Sequence, residues 1–277
     1  MSQYLIAEIG INHNGDINLA KQLIKMSHNA GIDGVKFQKR DIESVYTKEE
    51  LDRYRQSPWG STNRQQKEGL EFTIEQYKEL ETYTNSLGLD FIVSCWDINS
   101  INAVEEHLNI RYHKIASALA TDRQFLEKIN ATGKPVILST GMCEESQIAA
   151  AIDILDNVEV VLACTSTYPT KASEVNLRHI QTLQTNYPDL EVGFSNHYSG
   201  LDACVAATVI GAKFIEFHIT KDRTAYGSDQ SASIENIYGL VEGVRNANEM
   251  LGDGIKKVYD SERPIAKKLR KVDDTTK

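Results

Sequence analysis

The sequence lacks the features that several large classes of protein require. No apolar run reaches the roughly 18 residues that a membrane-spanning helix needs. The first residues have neither the basic region nor the apolar core of a signal peptide, so we expect a cytoplasmic protein. Positive charge is in deficit, with 30 Lys and Arg against 39 Asp and Glu. This balance argues against nucleic acid or an anionic membrane as the main partner.

Cysteine is scarce and scattered. The four cysteines form no Cys-x-x-Cys pair and have no zinc-type spacing: Cys95, Cys143, Cys164 and Cys204. We therefore expect reduced thiols in or near the core. The sequence also has no internal repeat and no low-complexity block.

What the sequence does contain is a regular alternation of short apolar runs with helical patterns. The runs predict buried strands at 4–9, 34–37, 91–94, 113–116, 135–138, 158–162, 191–194 and 213–217. Asp16 is a candidate N-cap and Gly31 a stop for the first helix. Glu144 and Glu145 favour the start of another helix, and further helices are predicted over 201–210 and 234–251.

Eight strand-then-helix units predict one architecture. Such units imply parallel strands with right-handed crossovers, and eight of them fit a single-domain α/β fold, the (β/α)8 TIM barrel of about 250 residues. We assign 1–255 to this barrel. An open doubly wound sheet is the alternative, but no Gly-x-Gly-x-x-Gly follows any predicted strand.

Two segments fall outside the alternation. The polar stretch 39–72 follows the second strand, and it is predicted to be a lid or an oligomer contact at the catalytic mouth. The segment 256–277 is charged and poor in apolar residues, and we expect a terminal helix followed by a frayed end.

Polar residues concentrate where the predicted strands end. Catalytic residues of such barrels come from the carboxyl ends of the strands. Lys36, Lys114 and the neighbouring hydroxyl residues predict a cradle for phosphate or carboxylate. His197 and His218 end neighbouring strands and predict a metal site. Together with Glu8 and Asp229 they form a set of side chains suited to binding a divalent cation and to transferring protons.

Each of these residues has a structural interpretation. A lone histidine at a strand end is more often hydrogen-bonded than ligating, and a lone lysine can extend its apolar stem. Taken together, however, two lysines, two histidines and an acid at one rim are hard to explain structurally, because burying unpaired charge is costly. We interpret the remaining histidines as surface or structural residues, and His13 has the best claim to lie near the site.

The motifs resemble the N-acetylneuraminate (sialic acid) synthase family from residue 7 to about residue 254. The resemblance depends on seven segments in order, at 7–15, 35–38, 114–117, 134–142, 164–169, 193–197 and 216–223. Among them are Ala-Glu-Ile-Gly-Ile-Asn-His-Asn-Gly, Lys-Ile-Ala-Ser, Cys-Thr-Ser-Thr-Tyr-Pro and Gly-Phe-Ser-Asn-His.

This resemblance implies condensation of phosphoenolpyruvate with the open-chain aldehyde of an N-acyl sugar, giving a nonulosonic acid and phosphate. It implies that His197 and His218 are ligands of a divalent metal, Mn²⁺ ahead of Mg²⁺ or Co²⁺, and that Asp229 orients water. Residues on the phosphoenolpyruvate side would be Lys36, Lys114, Ser117, Ser139, Ser166 and Ser195, with Cys95 replacing a family threonine. Residues on the acceptor side would be Glu8, Gln38 and Tyr168. Family members are commonly dimers, so we expect a homodimer.

The sequence also departs from the family pattern. Ala118 and Leu119 stand where members often have Gly-Glu, with the glutamate on the sugar. The chain ends about where a small antifreeze-like domain begins in many members, so we expect the barrel alone. We therefore expect the acceptor pocket to differ from that of the family, with an N-acetylmannosamine-like acceptor and a nonulosonic product such as one of the legionaminic type. Two other hypotheses are a Schiff-base aldolase using Lys114 or Lys36 and a catalytically silent sugar-binding or assembly module.

Overall fold

The computed structural model describes residues 3–227 and 229–272. Its strands are β1 (Tyr4–Gly10), β2 (Gly34–Lys39), β3 (Tyr54–Ser57), β4 (Gly60–Thr62), β5 (Asp90–Cys95), β6 (His113–Ile115), β7 (Val136–Ser139), β8 (Val158–Cys164), β9 (Glu191–Asn196) and β10 (Phe214–His218). Its α-helices are α1 (Ile17–Ala30), α2 (Ile42–Val45), α3 (Lys48–Asp52), α4 (Asn63–Leu70), α5 (Ile74–Ser86), α6 (Ile98–His107), α7 (Arg123–Asn130), α8 (Glu145–Ile154), α9 (His179–Asn186), α10 (Asp202–Val209), α11 (Ile237–Leu251) and α12 (Arg263–Leu269).

Eight parallel strands close into a barrel in the order β1-β2-β5-β6-β7-β8-β9-β10, with β10 pairing back to β1. The predicted single-domain (β/α)8 barrel is confirmed, and the pairing of Glu8 on β1 with His218 on β10 excludes the open sheet. No helix among the described residues is both long and apolar enough to cross a membrane.

Helix boundaries follow the local sequence signals in most places. The Asp16 side chain accepts hydrogen bonds from the N–H groups of Asn18 and Leu19, and Gly31 ends α1 with φ of 80°. The last barrel helix was predicted from residue 234, but α11 begins at Ile237. The reason is that Ile234 pairs with Ile219 in a parallel bridge, which keeps it in an extended conformation.

Strand alternation sorts the barrel side chains into two apolar regions. Outward-facing residues such as Val35 and Phe37 form the large cluster between barrel and helices. Inward-facing residues form a smaller apolar floor, made of Ile6, Ile92, Tyr112, Ile137, Val160 and Leu162. The inward residues beyond this floor, toward the carboxyl ends of the strands, are polar or charged. The floor therefore closes the barrel from below and leaves one open, polar end.

The segment between β2 and α5 lies at this open end. It contains α2, α3, the β3–β4 hairpin and α4. Trp59 at the hairpin turn packs edge-on against Tyr226, which follows β10, with ring centroids 5.5 Å apart. The segment thus reaches past β1 to the loop that follows β10, while its role as lid or oligomer contact stays a prediction. At the other end of the chain, α12 is exposed, and residues 273–277 of the predicted tail lie outside the described residues.

Candidate active site

A pocket of about 220 Å³ opens at the carboxyl ends of the barrel strands. Since a water molecule occupies about 30 Å³ in the liquid, this space suits a small organic substrate. The predicted site residues that line it are Glu8, Lys36, Gln38, Lys114, Ser117, Ser139, Ser166, Tyr168, Ser195, His197 and His218. Residues from all eight barrel strands, or from the loops that follow them, therefore converge on one cavity.

Two lysines and two carboxylates are buried together at the base of this pocket. Glu216 Oε1 lies 3.4 Å from Lys114 Nζ and 3.7 Å from Lys36 Nζ, and Glu8 Oε2 lies 2.8 Å from Lys36 Nζ. Ser195 Oγ donates to Glu216 Oε1 at 3.2 Å. Each of the four charged side chains is at most 4% exposed. Four formal charges thus cancel in a nearly dry environment.

The charges shift one another's pKa values. Burial opposes ionisation of Glu216, but the lysines and then the histidines outweigh it and lower the pKa of Glu216 to about 2. Burial also opposes the charge on Lys36, yet Glu216 and Glu8 together raise its pKa. For Lys114, burial prevails over the single close carboxylate, and the pKa is lowered. Lys36 is therefore held as a cation more firmly than Lys114.

A cluster of small polar groups adjoins the lysines. The Gly141 N–H donates to Ser117 Oγ at 2.9 Å. A Cβ at Gly141 would lie 2.1 Å from Ser166 Oγ, so only glycine fits here without displacing that hydroxyl. Ser94 Oγ and Ser139 Oγ are buried without a hydrogen-bond partner among the described residues. Buried hydroxyls without partners are unfavourable, and a bound anion would satisfy them.

The two histidines lie on the other side of the pocket. Their ring centroids are 5.3 Å apart, and the Tyr168 ring lies 4.1 Å from that of His197. His197 Nδ1 donates to Thr165 O at 2.8 Å, which leaves Nε2 as the free lone pair. His218 Nδ1 lies 3.6 Å from Asp229 Oδ2, and burial lowers the pKa of His218. This arrangement presents two imidazoles to one cavity.

A model of the NeuB family matches residues 23–256. The chain belongs to the NeuB family. It is 37% identical over 97% of its length to N-acetylneuraminate-9-phosphate synthase of Homo sapiens, covering 76% of that protein. It is 36% identical over 98% of its length to N,N'-diacetyllegionaminic acid synthase of Legionella pneumophila, covering 79% of it. The resemblance predicted from the motifs is thereby confirmed.

A solved structure of a sialic acid synthetase has the same fold over almost the whole chain. The N-acetylneuraminic acid synthetase of Leptospira borgpetersenii, in complex with citrate, superimposes with a TM-score of 0.83 at 28% identity. The match covers 98% of this chain and 94% of that one. The barrel described above is therefore shared with that protein.

Two predicted site residues of this NeuB-family barrel lie outside the pocket wall. The prediction that Cys95 lies on the phosphoenolpyruvate side is wrong. Its side chain faces outward into the apolar cluster between barrel and helices, where burial raises its pKa. Successive residues of a strand alternate faces, so Ser94 points inward and lines the pocket instead. Asp229 lies behind His218 rather than on the wall.

Four further residues line the pocket without a role predicted from the sequence: Glu216, Ser94, Trp96 and Met142. Glu216 had a detectable signal, because an acidic residue two positions before His218 shares its inward face. His13, in contrast, lies outside the pocket, stacked on Phe72 with ring centroids 4.1 Å apart.

The acceptor-side residues form a short chain of contacts. Gln38 donates to Glu8, and Arg40 donates to Gln38. The Arg40 guanidinium lies 4.1 Å from the centroid of the Trp96 ring, in cation–π geometry. These contacts orient the Gln38 amide toward the buried Glu8 carboxylate. They also bring a second kind of cation, a guanidinium, to the mouth of the pocket.

Proposed function

We propose that this chain condenses phosphoenolpyruvate with the open-chain aldehyde of an N-acyl aldose, releasing phosphate and a nonulosonic 2-keto-3-deoxy acid. The observation that carries the proposal is the pairing, within one pocket, of two buried lysines and a hydroxyl cluster with two converging imidazoles. The names of its relatives, which include a sialic acid phosphate synthase and a legionaminic acid synthase, support the same reaction class.

The lysines and hydroxyls fit the phosphoenolpyruvate side. Lys36 and Lys114 would neutralise phosphate and carboxylate, while Ser117, Ser139 and Ser166 donate to their oxygens. The enol C3 attacks the aldehyde carbon, the new C–C bond forms, and the aldehyde oxygen takes up a proton. Because the C2=C3 electron pair has formed the new bond, C2 is left electron-deficient, and water adds to it and gives up one proton. The C2–O bond to phosphate then breaks as the new C2 hydroxyl loses its proton to become the keto oxygen, and phosphate leaves with that proton. Glu8 is the buried carboxylate at the acceptor side that can carry these protons.

The residues also fit a divalent metal. His197 keeps Nε2 free because its Nδ1 donates to a carbonyl, an arrangement typical of metal-binding histidines. No group of three or more His, Cys, Asp or Glu in the described part of the chain is arranged around one metal position, so His197 and His218 would be two ligands among others from substrate and water. When bound, Mn²⁺ or a similar ion would act as a Lewis acid on the aldehyde.

The test is phosphate release across a panel of N-acyl hexosamines and their phosphates, with phosphoenolpyruvate and Mn²⁺. We expect release only when all three components are present, and loss of turnover in EDTA and in His218→Ala. His179→Ala is the matched control, because His179 pairs with Glu145 on the outer surface. A readout independent of activity is the thermal shift on adding Mn²⁺, which should vanish in His218→Ala. Full turnover in EDTA would remove the metal from the proposal.

A second candidate is a Schiff-base aldolase, favoured by the lowered pKa of the buried Lys114. Borohydride reduction in the presence of pyruvate would then attach the substrate covalently to Lys114. We expect no such adduct, since Lys114 is already committed to Glu216. If no aldose gives phosphate release while sugars still bind, the silent sugar-binding module becomes the better interpretation.

A further inference from the structure

A buried asparagine and a buried serine connect the turn after β1 to the loop after β10. Asn12 is 2% exposed and Ser233 is 0% exposed. The Asn12 side-chain amide donates to Ile219 O and to Ser233 Oγ, each at 2.8 Å. Because an amide nitrogen carries two protons, both donors of Asn12 are used on the chain that follows β10.

The Ser233 hydroxyl extends this connection to Asp229. Its oxygen accepts from Asn12, and its own proton is donated to Asp229 O at 2.7 Å. Asp229 is the first residue of the 3-10 turn Asp229–Ala232, so the hydroxyl ties the end of this turn back to its beginning. The Asp229 carboxylate in turn lies 3.6 Å from His218 Nδ1. The place of this carboxylate therefore depends on the hydroxyl of Ser233.

The backbone around Ser233 is also held firmly. Arg223 Nε donates to Ser233 O at 2.7 Å, and Arg223 Nη2 donates to Ser199 O, in the loop after β9, at 2.6 Å. The next residue, Ile234, donates its N–H to His218 O at 2.8 Å. Contacts from three neighbouring parts of the barrel mouth thus fix the residue whose hydroxyl holds the turn. Such support is what keeps a group of an active site in its working geometry.

We propose that Ser233, oriented by Asn12, is a positioning residue that fixes Asp229 opposite His218 for the condensation. Neither Asn12 nor Ser233 is among the described residues that line the pocket, so both act through Asp229 and not on a substrate. The inference rests on the proposed function, because Asp229 is the residue predicted to orient water in that reaction. Displacing such a group by about 1 Å can lower a rate about a hundredfold.

The test compares variants of Ser233 that differ in the hydroxyl. Ser233→Ala removes it without adding volume, and kcat should fall by about tenfold to a hundredfold while KM for phosphoenolpyruvate changes by less than about twofold. The reason for the split is that the lysines and hydroxyls on the phosphoenolpyruvate side are not touched. Ser233→Thr and Ser233→Val share one shape, so Ser233→Thr should exceed Ser233→Val in kcat by about tenfold if the hydroxyl itself matters.

Ser27→Ala is the matched control, because Ser27 is also 0% exposed and its hydroxyl donates to Leu23 O within α1. It removes a buried hydroxyl far from the turn and should leave kcat unchanged. In an Asp229→Asn background, Ser233→Ala should change kcat by less than about twofold, since the group that it positions is already replaced. Equal kcat in Ser233→Thr and Ser233→Val, or an undiminished effect of Ser233→Ala in that background, would overturn the proposal.

Hydrogen exchange of the amides in 229–234 provides a readout that needs no turnover. Exchange should be faster in Ser233→Ala and Ser233→Val than in wild type and Ser233→Thr, with β1 and β10 unchanged. If no sugar gives phosphate release but this difference is found, the proposed reaction fails while the support of the Asp229 turn stands. If release occurs and the exchange is the same in all four proteins, the reaction stands and the positioning role is wrong.

Discussion

Glu216 holds the charge balance of the pocket. One of its two carboxylate oxygens, Oε1, faces both Lys36 and Lys114, and Glu8 supplies the second negative charge. Before an anion binds, the lysines are therefore already compensated. A phosphate or carboxylate that enters competes with Glu216 for the same two ammonium groups. We therefore predict that Glu216 stabilises the two lysines in the absence of an anion and lowers their affinity for one.

Replacing Glu216 with Gln should reveal this competition. Removing one partner from a buried ion pair costs about 3 kcal/mol, so the free energy of unfolding should fall by about that amount. Inorganic phosphate should then stabilise Glu216→Gln more than it stabilises wild type, because both lysines are left without their shared carboxylate. Denaturant unfolding with and without phosphate measures both effects. Glu191→Gln, at the exposed start of β9, is the control, and equal stabilisation by phosphate in all three proteins contradicts the competition.

From the sequence it is easier to predict which residues lie at the strand ends than which face of the barrel their side chains occupy. His197, His218 and both lysines line the pocket, because each lies near a strand end with an inward-facing side chain, and their roles stay predictions. Cys95 was placed on the wrong face, since a one-residue uncertainty in the strand exchanges inward for outward. The pairing of Glu216 with lysines from β2 and β6 depends on barrel closure, and no local pattern shows it.

Among the elements, the junction between β5 and α6 ties the mouth segment to the barrel. Asp97 caps α6 by accepting from the Ser100 N–H at 2.7 Å. Its other oxygen accepts from the Asp41 N–H at 2.8 Å, just beyond Arg40 and before α2. One buried carboxylate thus fixes both the start of a barrel helix and the start of the mouth segment.

Asp97→Ala and Asp97→Asn separate these two tasks. Asp97→Ala should lower the free energy of unfolding by about 1 to 2 kcal/mol through loss of the cap. Asp97→Asn keeps an oxygen for the Ser100 N–H but replaces one carboxylate oxygen with an amide that cannot accept from Asp41. It should retain most of the stability while the 41–70 segment becomes easier to cleave. Denaturant unfolding and limited proteolysis are the measurements, and equal protease resistance in wild type and Asp97→Asn would argue against the anchoring role.

The elements themselves were more predictable from sequence than their contacts. The caps of α1 are local signals, so its bounds could be read directly from Asp16 and Gly31. The segment at 39–72 was recognisable only as polar and outside the repeat. Its hairpin is held by Trp59 against Tyr226, a contact between residues far apart in the chain, and no spacing rule predicts such a contact.

Over the whole molecule, burial of neutral histidine makes stability depend on pH. His13 is stacked on Phe72, and its Nδ1 accepts from the Gly15 N–H at 3.0 Å, so a proton there would lose this bond. Burial lowers the pKa of His13 from 6.5 to about 3. The unfolded chain therefore binds a proton in this range that the folded chain does not. The stability is fully present above pH 6.5 and is lost as the pH falls toward 3.

Wild type should thus lose about 1 kcal/mol of unfolding free energy through His13 alone when the pH falls from 7 to 5.5. His13→Gln removes the titrating group, so its stability should decline less over the same interval, although it starts lower because the ring stacking is lost. His107→Gln replaces a partly exposed histidine and should keep the wild-type slope. Denaturant unfolding at a series of pH values distinguishes the three proteins. If the free energy of unfolding falls with the same slope in wild type and in His13→Gln, the acid sensitivity of the barrel arises from other groups. The next group to test is then Glu216 at the base of the pocket, whose pKa is lowered to about 2.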